Sequence, residues 1–227
     1  MKQYPLPIAY AVLLTLCLPF NLLLAFLAFT VFPLVSSDFT ESMCVLLFSL
    51  YWAAAAVLGI QNIRNSFSLY RQGEVIPCVN SMLILKYGMV VFFAVNFIVI
   101  LILMLFFTLG MFVASRGTMI FAFPVVLPIY VLIVLAAMAF TWLLLVPGAF
   151  YGIQVIRLTR AAGKTGTFAA LIHGIFQFTF FLDVLDSMYL AVVKYGRGKK
   201  SSAVIAVLYI LLIIGFIWLG MKLYGLL

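Results

Sequence analysis

Two carboxylates three residues apart, Asp183 and Asp186, lie inside a stretch apolar enough to cross a bilayer, Phe168 to Val193. An ionised side chain at that depth costs roughly 3 kcal/mol or more, so each must be protonated, paired, or in contact with a cation or water. At about 100° per residue, Thr179, Asp186, Ser187 and Lys194 fall within roughly 60° of Asp183 on a helix. Phe176, Phe180 and Leu190 share that arc, and His173 and Gln177 lie at its flank. His173 is the sole histidine of the chain and the one side chain that changes charge near neutral pH unaided. Asn21 and Asn96 each stand near the middle of another apolar stretch. These residues together predict an internal site for a proton, a cation or a small polar or cationic ligand. The alternative is that they are interhelical hydrogen bonds that hold helices together.

Catalytic chemistry has less support. There is no Gly-x-Ser-Gly nucleophile and no His-Glu-x-x-His metal motif. An Asp-x-x-Asp pair is one way to hold a hard divalent cation for lipid-phosphate transfer. The glycine and Ala-Arg that follow the pair in CDP-alcohol phosphotransferases are absent, as is a second aspartate pair, so that chemistry stands only as the catalytic alternative. Cys17, Cys44 and Cys78 form no Cys-x-x-Cys pair, and neither a metal site nor a redox motif is expected. No cofactor is implied.

The elements that must position these residues are membrane helices. Of 227 residues, 68% are hydrophobic and 8% charged, and the mean hydropathy is +1.34, far from a soluble domain. The fold class is therefore all-α, a polytopic integral membrane protein with six spans at about 8–31, 43–60, 84–113, 119–150, 168–193 and 203–224. The run after Lys2 is too long for the apolar core of a signal peptide. Pro19 is expected to kink the first span and turn Asn21 inward. The second span is predicted to overhang the bilayer as an amphipathic helix ending near Gly73, and the fourth to continue into a basic helix ending near Gly163.

The net charge of +8 sits mainly in the connections. Arg64 and Arg71, and Arg157, Arg160 and Lys164, form basic stripes that suit anionic headgroups or a cytoplasmic or membrane partner subunit; no nucleic-acid surface is indicated. Tyr4, Tyr10, Tyr51, Trp52, Trp218 and Tyr224 read as interfacial anchors. The loop bearing Asp38 and Glu41 reads as the outer side.

Six spans with an inner N-terminus place eight Lys and Arg inside and five outside. If the fifth segment dipped in and returned, the split would become eleven against two. A repeat favours the full span: Gly59-Ile-Gln-Asn-Ile-Arg64 recurs as Gly152-Ile-Gln-Val-Ile-Arg157, which suggests duplicated helical hairpins over 43–113 and 119–193. Lacking any glycosylation sequon, the chain fits a bacterial plasma membrane. Two functions are expected from these residues: a transport or ligand-binding membrane component with its site on the fifth helix, or a non-catalytic structural, accessory or immunity-type protein whose polar stripe mediates packing or oligomerisation.

Overall fold

The computed structural model describes residues 4–30 and 37–225; Pro33 falls outside them, and so do the side chains of Asp38 and Glu41. Every regular element among the described residues is helical: α1 (Pro5–Thr15), α2 (Cys17–Thr30), α3 (Ser37–Arg71), α4 (Val75–Ala114), α5 (Met119–Ala161), α6 (Thr167–Phe176), α7 (Leu182–Tyr189), a π-helical turn (Leu190–Lys194) and α8 (Lys199–Tyr224). Among the described residues four helices are long and apolar enough to cross a membrane, and the number is five if α1 and α2 count as one span bent by 47°. The apolar periodicity is weak in these helices because they are apolar on nearly all sides, as lipid-facing helices are.

The glycines stop helices where expected. Gly73 and Gly163 both have positive φ. The following N–H groups, of Glu74 and Lys164, reach back 3.0 Å to Leu69 O and Thr159 O, the six-to-one bond that closes a helix end. α3 runs past the second predicted span to Arg71, and α5 past the fourth to Ala161, so both overhangs are continuous with their spans.

The core lies at the end of the bundle where α3 and α5 finish and α4 begins. Tyr10, Leu14, Met82, Leu85, Tyr151, Val155 and Leu190 are among its buried side chains. α1 and the start of α2 run alongside α4, with Tyr4 bonded to Asn80 at 3.0 Å and Leu18 to Asn96 at 3.2 Å. Tyr10 and Tyr51 correct the expectation of interfacial anchors: both are buried, and their hydroxyls donate to Leu144 O and Leu13 O. A tyrosine inside a membrane core needs such a carbonyl, and here Tyr10 finds one on α5 and Tyr51 one on α1. The outer halves of α4 and α5 instead expose Ile102, Phe106, Val113, Leu132 and Leu135.

The fifth predicted span is the main correction. It is not one helix but α6, a non-helical break over 177–181, α7 and the π-helical turn. Nor does it run from one end of the bundle to the other. Lys164, before it, and Lys194, at its close, each donate to the other's backbone carbonyl, at 3.4 and 3.0 Å. Thr159 and Tyr195 hydroxyls are 2.8 Å apart. α8 then starts beside the first half of α4, with Tyr87 bonded to Ser202 and Val90 packed on Ile205, and runs in the same direction. The segment thus leaves and rejoins the same end.

No proline or glycine makes this break. The backbone reverses at Phe181, at φ 67° and ψ −47°, where Leu182 N–H donates 2.9 Å to Phe180 O in a three-residue turn of the strained, positive-φ kind. Carbonyls released by the break find side chains from other helices: Trp142 Nε1 donates 3.0 Å to Phe178 O, and Lys86 Nζ donates 3.2 Å to Gln177 O. The break also ends the likeness between the two hairpins, because α4, the counterpart of this segment, is one unbroken helix of 40 residues.

Candidate functional site

Gln177 caps the C-terminal end of α6, and everything polar in the segment is arranged about it. Its Nε2 donates 2.6 Å to Asp186 Oδ2, and its Oε1 accepts from Ser187 Oγ at 3.4 Å. Its backbone carbonyl accepts from Lys86. Asp183, in the first turn of α7, receives Lys86 Nζ on Oδ2 at 2.8 Å. The ammonium therefore sits where α6 presents an unsatisfied carbonyl and α7 a carboxylate, and both ends favour their occupants through the helix dipole. Asp186 completes its shell with His173 Nδ1, reached across the break from α6. The His173 ring stacks on Tyr189, 5.6 Å between centroids.

α5 makes room for the network. Gly148 and Gly152 are one turn apart on the same face. A Cβ at Gly148 would stand 3.5 Å from Lys86 Cε, and one at Gly152 only 2.0 Å from Gln177 Oε1. The lysine stem and the glutamine amide lie against bare backbone, the use small residues have between membrane helices. Lys86, Gln177, Asp183, Asp186 and Ser187 are all buried. The cluster thus brings two carboxyl groups, one amine and one imidazole together.

The sequence-predicted residues divide. Asp183, Asp186, Ser187 and His173 come together. Thr179 does not: it is exposed and bonds back to Ile175 O at 3.2 Å, because α6 ends before it and the helical register that aligned it with Asp183 is lost. Asn21 is half-buried on α2 and donates to Cys17 O of its own helix at 2.8 Å. Asn96 is buried elsewhere, where its Oδ1 accepts Leu18 N–H and its amide donates to Phe92 O. Its partner lies just past the bend at Leu16, where α1 stops, so Asn96 satisfies a backbone group that the bend frees. Lys86 and Gln177 were missed as site residues. Lys86 lies near the start of the predicted third span, where a lysine suits the membrane boundary, and Gln177 at the flank of a wheel that assumed an unbroken helix. A lysine inside the run Met82 to Val95 was the available signal.

Arg64, Arg71, Arg157, Arg160 and Lys164 are exposed at the end of the bundle where the broken segment starts and finishes. Arg157 lies 4.0 Å over the Tyr70 ring, and Lys164 is 4.7 Å from the Tyr195 ring. Among the described residues no three His, Cys, Asp or Glu side chains cluster as a metal-holding set.

A cavity of about 400 Å³ adjoins the network between α4, the break and α8. Its walls are apolar, among them Met89, Phe93, Phe180, Val184 and Ile213, and Asp183 and Tyr209 also line it.

An all-helical protein with several membrane-length apolar helices and a buried ionic network at a helix break is the class that fold and site define. Within that class, residues 9–197 match the family described as "Family of unknown function (DUF6652)", and the chain belongs to that family. The match takes in every residue of the network and stops before α8. Comparison with curated proteins and with solved structures gives no match.

Proposed function

We propose that this protein is a ligand-binding or transport component of a membrane, with its working centre at the break between α6 and α7. The observation that carries this reading is the juxtaposition of a buried Lys86–Asp183 pair with a cavity that Asp183 also lines. Discontinuous helices whose ends face charged groups are how membrane transporters build sites at depth. In the topology that goes with this reading, α1 with α2, α3, α4, α5 and α8 cross the bilayer. The segment 167–194 is then a re-entrant hairpin from the cytoplasmic side. That arrangement leaves only Arg116 and Lys222 outside, the eleven-to-two split of basic residues. A bacterial plasma membrane is the compartment this bias suits.

The second reading, structural glue, draws on the fact that each carboxylate already has a partner within the chain. One experiment separates them. Melting of purified protein in nanodiscs is followed from pH 5 to 9 with mono- and divalent cations, lipophilic amines and carboxylates, for wild type and Asp183→Asn/Asp186→Asn. A ligand or protonation step that stabilises the wild type and not the variant supports a binding site. A variant that merely melts lower, with no ligand response in either protein, leaves the glue reading.

A further inference from the structure

We infer that the cavity between α4, the helix break and α8 binds the ammonium head and alkyl chain of a single-chain lipophilic amine. The inference rests on the reading of this region as a ligand site and names the class of ligand. Five observations carry it. Asp183 is 3% exposed, and Lys86 engages only its Oδ2; among the described residues Oδ1 has no hydrogen-bond partner. Asp183 lines the cavity, so a donor arriving with a ligand can take this unused acceptor. Tyr209, on the opposite wall, likewise has no hydrogen bond to its hydroxyl among the described residues, so two polar groups border an otherwise apolar space. Such a space with a few polar groups is the general form of a small-ligand pocket.

Charge then selects the head. The Asp183 carboxylate on the cavity wall has Lys86 on Oδ2 and no donor on Oδ1 among the described residues, so a donating, cationic head complements it and a carboxylate or phosphate head repels it. Access follows from the walls. Phe181, Ile213 and Ile217 line the cavity and are exposed on the apolar perimeter, so a ligand reaches it from the lipid. A volume of about 400 Å³ is near the small end of ligand pockets and suits one chain better than a two-chain phospholipid.

The test uses the full chain in phosphatidylcholine nanodiscs, with dodecylamine, dodecanol and dodecanoate as probes of one chain length and three heads. Dodecylamine is expected to raise the melting temperature by several degrees at a concentration about tenfold below that needed for dodecanol, with dodecanoate without effect. Ala94→Trp, which fills the cavity from α4 without touching the ionic network, abolishes the shift. Tyr209→Phe, which removes one hydroxyl and little volume, weakens it several-fold and serves if the tryptophan variant does not fold. Equal shifts for all three heads, lost in Ala94→Trp, overturn the amine while leaving a ligand site that takes chains alone. Phosphatidylethanolamine discs that stabilise the protein and suppress the dodecylamine response assign the ammonium to a lipid headgroup and overturn the single-chain ligand. No response to any probe, or a response that both variants retain, overturns the cavity as a site.

Discussion

Lys86 Nζ on α4 stands 2.8 Å from Asp183 Oδ2 on α7, 97 residues further along the chain, and both side chains are buried. A pair this deep is expensive to form and more expensive to break by halves. Removing one partner of a buried pair costs about 3–5 kcal/mol because the other charge is left alone, whereas replacing both by apolar groups is often neutral.

Lys86→Met and Asp183→Leu are therefore expected to destabilise singly by about 3 kcal/mol, and the double variant by less than either. Unfolding in a bilayer-mimetic with increasing dodecyl sulfate, read by circular dichroism, gives the cycle. Additive single losses would show that the two residues do not act as a pair.

Gly148 and Gly152 make a second contrast. Alanine at Gly148 meets Lys86 and Leu85 at 3.5 Å, ordinary contact, and is expected to change stability by less than about 0.5 kcal/mol. Alanine at Gly152 collides with the Gln177 amide, which hydrogen bonds to Asp186 hold in place, and is expected to cost about 1–3 kcal/mol. In a Gln177→Ala background the Gly152→Ala penalty should shrink, since the obstructing side chain is gone. A Gly152→Ala penalty that persists there would mean that the amide is not what fills the space.

The return of 167–194 to its own starting end is open to direct chemistry. In a variant with Cys17, Cys44 and Cys78 replaced by serine, single cysteines at Lys164 and Lys200 are expected to react with an impermeant maleimide from the same side of sealed vesicles, and one at Arg116 from the other. Lys164→Cys/Lys194→Cys is expected to be joined by a short bifunctional maleimide, given that each lysine reaches the other's backbone. Labelling of positions 164 and 200 from opposite sides would restore a sixth full span.

Much of this was legible beforehand. Runs of apolar residues longer than a bilayer is thick leave few alternatives to membrane helices. Gly73 and Gly163 stop helices because positive φ is cheap only for glycine. Asp183, Asp186, Ser187 and His173 drew attention because polarity inside an apolar run has to be compensated. Those features are local and need no knowledge of neighbours.

The path of Phe168 to Val193 and the partners of its carboxylates were decided by tertiary contact. Length and hydropathy allow the segment to cross; nothing in Gln177-Phe-Thr-Phe-Phe181 forbids a helix as proline would. What stabilises the break is the set of groups that take up its freed backbone and side chains: Trp142, 36 residues back, for the Phe178 carbonyl, and Lys86, 91 residues back, for that of Gln177. Gly152 provides the space. A helical wheel records angles along one helix, and it placed Thr179 beside Asp183 and missed Gln177 because there is no single helix there. Local propensity is nearly indifferent between a span and a hairpin in this stretch, so a few buried polar contacts from α4 and α5 decide between them.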